Sequence, residues 1–431
     1  MKESSKSKKT FEITIEKLVY EGSGLGRHQG KVAFVPFSVP GDLLVVRPVA
    51  EKKTFIRAEI AEILEPGNGR IKPICPHFTI CGGCHWQQLE YPRQVEAKRR
   101  ILEELFHHRF PETRELPINM KACVQPFAYR SRARVQLRDG GTHASVGFFR
   151  SGSNRVEDIE NCPLFRPALN EALGALRQYR REFDDDAEAQ EMDMACSEEE
   201  HAWIMAPAGS ETGEGLSATS GTLKREGAAL RRRIGEFLYT VSASVFFQAN
   251  DLIIPELVEL VREAAKEAGN RYALDLFAGV GLFSLPLARQ FEKLTAVENS
   301  PAASGLCRDN ARAAGFGNIQ SKCADVAEWM DSMASAKAST KYPFDLIVLD
   351  PPRSGVGPGV MKTINEWAPG TIIYVSCDPQ TLARDLAVIS PRDYTMDLVE
   401  GLDMFPQTFH FETVVRLKRK NSRQSAVRSL Q

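Results

Sequence analysis

From about residue 253 onward the hydrophobic period of the chain switches repeatedly between that of a helix and that of a strand. ELVELVREAAKEAG (256–269) has helical spacing. YALDLFA (272–278), LTAVENS (294–300), DLIVLD (345–350) and TIIYVS (371–376) are short strand segments with helical stretches between them. Alternation of this kind leaves few solutions. The strands are expected to lie parallel, with helices on both faces, in a doubly wound α/β sheet of the Rossmann type. Ligands of such sheets bind beyond the carboxyl ends of the strands, so those ends are where chemistry is to be sought.

DLFAGVGLFSL (275–285) follows a strand and opens a helix. Gly279 and Gly281 permit a tight turn and close approach of backbone to a ligand. Glu298 ends the next strand, where an acidic side chain can accept hydrogen bonds from both hydroxyls of a ribose. A dinucleotide site wants a third glycine to admit a pyrophosphate, and Ser284 stands there instead. The turn therefore suits S-adenosylmethionine better than NAD, with a plain structural turn as the remaining alternative. Asp350, in DPPRSG (350–355), ends a further strand. Cys377, in SCDPQTLARDL (376–386), stands where the last of these strands meets a helix. Asp378 is a good N-cap, Pro379 suits the first helical position, and Leu382 and Leu386 begin an apolar face. The helix N-terminus is expected to ease ionisation of the Cys377 thiol; the plain alternative is a buried small hydrophobe. Asp275, Glu298, Asp350 and Cys377 are expected along one edge.

The chain ahead of this region divides in two. Residues 10–64 hold the β-rich segments FEITIEKL, GKVAFVPF, DLLVVRPV and RAEIAEIL, punctuated by GSGLG, VPGD and EPGNG. A five-stranded barrel of the OB type fits, and such barrels often hold nucleic acid. CPHFTICGGC (75–84) places Cys75, Cys81 and Cys84 close together, and Cys162 stands apart in NCPLF. Three near cysteines and a remote one followed by Pro favour a [4Fe–4S] cluster over zinc or unligated thiols. A helix is expected from Arg93 to about Phe110, with Val95, Leu102, Leu105 and Phe106 on one side and Lys98, Arg99 and Arg100 elsewhere. Strand segments recur through 123–250 around an acidic insertion near 182–200, read as a solvated loop or short exposed helix. Cys123, Cys196, Cys307 and Cys323 show no ligand pattern and read as packing residues. The expected division is a barrel over 1–68, a central mixed β domain with the iron–sulfur site over 69–250, and the doubly wound domain over 251–431.

A net charge of −1 excludes a uniformly basic nucleic-acid binder, yet both ends are basic. No apolar run is long enough to cross a membrane, and the charged start has no secretory h-region. A cytoplasmic, monomeric protein is expected, and in a reducing compartment clustered cysteines point to metal or catalysis.

CPHFTICGGC with Cys162, SVFFQAN, DLFAGVG, VENS, DPPRSG, SCDP and FPQTFHFE, in that order and spanning nearly the whole chain, resemble the RNA 5-methyluridine methyltransferases. The N-terminal barrel resembles the TRAM domain that many members carry. The resemblance implies methyl transfer from S-adenosylmethionine to C5 of a uridine in RNA. It implies Cys377 as nucleophile, Glu412 as general base, and Gln248, Phe277, Glu298 and Asp350 as cofactor contacts. Asp325 would lie near the adenine, and Cys75, Cys81, Cys84 and Cys162 would ligate the cluster. Leu282 replaces a polar residue found in many members, which implies one missing cofactor hydrogen bond, and Gln407 replaces a histidine. Arg130, Arg132 and Arg134 are expected on one strand face as candidates for phosphate contacts, with a plainly solvated face as the alternative. The barrel favours 23S ribosomal RNA as substrate, with transfer RNA as the alternative. An inactive iron–sulfur RNA-binding protein, an amino methyltransferase and a redox enzyme are the rival classes.

Overall fold

The computed structural model describes residues 9–139, 144–183, 190–208, 216–219, 222–224, 229–336 and 344–420. The two basic ends, 1–8 and 421–431, lie outside the described residues.

Strands β1 (Phe11–Leu18), β2 (Gly24–His28), β3 (Lys31–Val35), β4 (Leu43–Glu51) and β5 (Phe55–Glu65) close into a barrel in the order β1-β2-β3-β5-β4. Alternate residues such as Ile13, Ile15, Val35, Leu44 and Val46 fill its interior. The sequence reading took GSGLG for a separator, but Gly24–His28 is a strand. A Cβ on Gly26 would stand 2.5 Å from the Thr14 carbonyl oxygen, so glycine here admits close strand pairing rather than a break.

Helix α1 (Tyr91–Arg109) follows the cysteine-rich loop and buries Leu102 and Phe106, as its spacing predicts. Lys98 departs from expectation. It is wholly buried, and its ammonium donates to Asp403 Oδ1 at 2.6 Å and to the carbonyls of Phe405 at 3.1 Å and His410 at 2.9 Å. A buried cation is tolerable only with such partners.

A seven-stranded sheet carries the middle of the chain, with the helix Pro167–Phe183 packed on it through Leu169, Leu173 and Leu176. The acidic insertion is mostly not a loop. Residues 184–189 lie outside the described residues, but Gln190–Ser197 is an inner strand between Arg132–Asp139 and Ala202–Pro207. Asp193 is neutralised by Arg134, while Glu199 and Glu200 meet Arg233 and Arg231. Paired acids of this kind hide a strand from a composition-based reading.

The doubly wound sheet has eight strands in the order Ile319–Cys323, Lys293–Glu298, Tyr272–Leu276, Leu346–Leu349, Thr371–Ser376, Glu412–Arg419, Tyr394–Leu402 and Asn119–Lys121. The first five run parallel. Glu412–Arg419 is antiparallel to both of its neighbours. Leu346–Leu349 and Thr371–Ser376 are buried along their whole lengths, as inner parallel strands covered on both faces must be. Among the described residues no helix is long and apolar enough to cross a membrane.

Candidate active site

Parallel pairing aligns the strand ends. Leu276 is opposite both Val297 and Leu349, so Phe277, Glu298 and Asp350 leave the sheet at one level. The antiparallel pair brings in the other two residues. Ser376 is opposite Thr413, and one step further along that register sets Cys377 across from Glu412. Cα atoms so placed on neighbouring strands lie about 5 Å apart, with their side chains on one side of the sheet. A cavity of ≈ 650 Å³ opens here, lined by Gln248, Phe277, Glu298, Asp350, Cys377 and Glu412. Asp275 is not among the lining residues. It is buried beneath them, accepts the Ser284 hydroxyl at 2.5 Å, and is pushed up to about 7 by burial. Asp325 does not line the cavity either; it is exposed and accepts the Glu328 amide at 3.1 Å, capping the helix Val326–Ala336.

The glycine turn fits an adenosyl ligand. A Cβ on Gly279 would meet nothing within 4 Å, so the turn leaves open room. Glu298 accepts the amides of Gly279 at 3.0 Å and Ser300 at 2.8 Å, which orients its carboxylate while lone pairs remain for ribose hydroxyls. Phe277 holds φ 62°, a strained value for a non-glycine residue that is concentrated at functional turns. Leu282 is a lining residue, so an apolar wall stands at that position.

The helix after Cys377 begins as the sequence predicts, with Asp378 accepting the amides of Gln380 at 3.0 Å and Thr381 at 2.9 Å. The expected ease of ionisation is reversed, however. Burial, and next the Glu412 carboxylate, push the Cys377 thiol up to about 12. Desolvation and like charge outweigh the helix terminus. Burial and then Asp275 push Asp350 up to about 7, opposed by a hydrogen bond from Gln248. Glu412 is raised well above the usual carboxylate range by burial and then by Asp350, and its Oε2 has no hydrogen-bond partner. Arg353 is a lining residue that opposes the shifts of Cys377 and Glu412, and it comes within hydrogen-bonding reach of the Cys377 sulfur. Sequence reasoning passed over Arg353, although it lies in DPPRSG three residues after Asp350. It also passed over Phe246, a lining residue that is 70% exposed at the mouth.

A second cavity, of ≈ 620 Å³, is lined by Cys75, Cys81, Cys84 and Cys162, with Arg130 and Arg134 beside them. None of the four thiols is in a disulfide. The Gly83 amide donates to the Cys81 sulfur at 3.4 Å, and burial pushes Cys84 up to about 12 and Cys162 to about 11. Among the described residues no set of three His, Cys, Asp or Glu side chains is gathered as a single-ion site. Four half-buried thiols around a roomy cavity are a donor set suited to a larger sulfide-bridged group.

The three arginines do not share one free face. Arg132 is half-buried and donates to the carbonyls of Ser242, at 3.1 Å, and Ala243. Arg134 is forked onto Asp193 at 2.9 and 3.0 Å. Arg130 precedes the strand and donates to the Arg132 carbonyl at 2.8 Å. Gln407 is buried away from the main cavity and pairs with Gln94, receiving from its amide at 3.0 Å while its own backbone N–H donates back at 3.0 Å.

Sheet, glycine turn and acidic strand ends together define an S-adenosylmethionine-dependent methyltransferase. Residues 222–420 match the tRNA (Uracil-5-)-methyltransferase family, and residues 5–60 match the TRAM domain. The chain is 30% identical to the 23S rRNA (uracil(1939)-C(5))-methyltransferase RlmD of Klebsiella pneumoniae, over 95% of each chain. It is likewise 30% identical to an uncharacterised RNA methyltransferase of Thermosynechococcus vestitus, over 95% of this chain and 98% of the other. The Pyrococcus abyssi tRNA (uracil-54, C5)-methyltransferase, solved with S-adenosyl-L-homocysteine, superposes with a TM-score of 0.71 at 25% identity, covering 94% of this chain and 100% of that one. The chain belongs to the RNA uracil-C5 methyltransferase family with a TRAM domain, and it is an S-adenosylmethionine-dependent RNA (uracil-C5)-methyltransferase.

Proposed function

We propose that this enzyme methylates C5 of a uridine in 23S ribosomal RNA, with Cys377 as nucleophile and Glu412 as base. The observation that carries the reading is the register that sets Cys377 across from Glu412 at the mouth of the glycine-turn cavity. C5 of uracil is a poor nucleophile. Addition of the Cys377 thiolate to C6 moves the ring electrons onto O4 and C5, so that C5 can attack a methyl donor. S-adenosylmethionine, when bound, supplies that methyl group, and its sulfonium charge favours the ionised forms of Asp350 and Glu412. Gln248, Phe277, Glu298 and Asp350 hold the cofactor. C5 then carries both a proton and the methyl group. Glu412 takes the proton, the C5–C6 double bond re-forms, and the C6–S bond breaks to return the thiolate. The uridine must leave its stack to enter the cavity, and exposed Phe246 offers a ring on which a base can rest.

The 30% identity to an enzyme of 23S rRNA supports the ribosomal substrate, while the tRNA enzyme of similar fold keeps transfer RNA as the alternative. Purified enzyme given 23S rRNA and bulk tRNA in parallel should place 5-methyluridine in the ribosomal RNA only, as read by nucleoside mass spectrometry. Methyl incorporation confined to tRNA would reverse the assignment.

We also propose that Cys75, Cys81, Cys84 and Cys162 hold a [4Fe–4S] cluster. When bound, such a cluster would tie the 75–84 loop to the Cys162 loop. Anaerobically purified protein should contain about four iron and four sulfide per chain, and Cys84→Ser should lose both. Stoichiometric zinc, or an iron content untouched by Cys84→Ser, would count against the cluster.

A further inference from the structure

The loop between β1 and β2 touches the Cys377 turn, the stretch before Glu412 and the end of the cysteine-rich loop at once. Tyr20 donates its hydroxyl to Asp378 Oδ2 at 2.8 Å. Its ring stands edge-on to Phe409 and Phe411, with centroids 5.5 and 6.4 Å away, in the stretch that leads into Glu412. Two residues later the Gly22 carbonyl accepts the Trp86 indole N–H at 2.9 Å. Gly22 has φ 89°, and a Cβ on it would stand 3.0 Å from the Phe409 ring and 3.2 Å from His85 Cβ. Only glycine lets the loop close down on both.

The two oxygens of Asp378 do different work. Oδ1 caps the helix, and Oδ2 receives Tyr20. Ser376 Oγ donates to the Asp378 carbonyl at 3.0 Å and accepts its amide at 3.1 Å, so Cys377 is bracketed by Ser376 and Asp378. The barrel is not loosely tethered. Leu18 and Val39 share one core with Leu382 and Phe411 of the doubly wound domain. Burial, and next the Asp378 carboxylate, raise the Tyr20 hydroxyl, which keeps it a donor.

We infer that Tyr20 is a positioning residue for the nucleophile: by holding Asp378 it fixes the backbone that aims Cys377, and so the N-terminal barrel takes part in the chemical step. The inference rests on the reading of Cys377 as nucleophile. A hydrogen bond from a neutral donor to a carboxylate is directional, and its loss lets the cap and the adjoining sulfur drift from the attack geometry.

Tyr20→Phe keeps the ring and removes the hydroxyl. With unmodified target RNA it should lower kcat roughly tenfold and leave the KM for RNA within about twofold, the size expected for one charge-assisted hydrogen bond. Asp378→Asn should lower kcat as well, and the double variant should be no worse than the poorer single variant, because both changes break one link. Unchanged kcat in Tyr20→Phe, a defect confined to KM for RNA, or losses that multiply in the double variant would each overturn the inference. Cys377→Ala assayed alongside separates the two ideas. An inactive Cys377→Ala with a fully active Tyr20→Phe overturns the positioning role alone, whereas an active Cys377→Ala overturns both.

Discussion

Cys377→Ala is expected to bind S-adenosylmethionine as tightly as the unaltered enzyme and to form no 5-methyluridine, with turnover reduced about 10,000-fold or more. Cofactor affinity is the informative control. Glu298 and the glycine turn hold their shape through bonds that do not involve the sulfur, so the adenosyl site should survive intact. Calorimetry reads the first half of the expectation and tritium incorporation reads the second. Retained turnover would remove covalent catalysis from consideration. The pH dependence follows from the same side chain. With the thiol pushed up to about 12, the thiolate is a minor species at neutral pH. The reactive form is the deprotonated one, so its share grows tenfold with each pH unit below that value. The rate of adduct formation should climb from about pH 6 to about 8.5 without a plateau. A plateau near neutrality would mean that RNA and cofactor together ionise the thiol.

Glu412→Gln is the second large effect. The substitution is nearly isosteric. Burial raises the Glu412 carboxyl well above its ordinary range, and a neutral amide suits so dry a position. The fold should therefore be kept. Addition and methyl transfer need no base at this position, but release does. The expected outcome is a protein–RNA adduct that survives a denaturing gel and carries one methyl group per bound RNA, with multiple turnover lost. Free methylated RNA at the normal rate would assign proton removal to another group.

The site was legible in the sequence to the extent that it depends on strand ends. DLFAGVG, VENS, DPPRSG and SCDP each mark a carboxyl edge, and parallel pairing aligns edges without further information. Glu412 was found only through resemblance, because its place beside Cys377 comes from an antiparallel strand whose partner no local pattern names. The acidity of Cys377 was misjudged for a related reason. A helix terminus is visible in sequence, but the burial that overrides it is tertiary. Charged residues misled the reading wherever a distant partner absorbs them. Arg134 on Asp193, Arg132 on two carbonyls and Lys98 on Asp403 all present as surface groups until the fold is known.

The Lys98 anchor also bears on how the molecule is made. Its partner lies 305 residues downstream, and both charges are sealed from water only once they meet. A chain emerging from the ribosome N-terminus first therefore carries an unmatched ammonium on helix α1 until residues 403–410 have followed it. The loop that closes over it runs directly into Glu412. Chains cut short of this loop would thus lose the Lys98 anchor and Glu412 together.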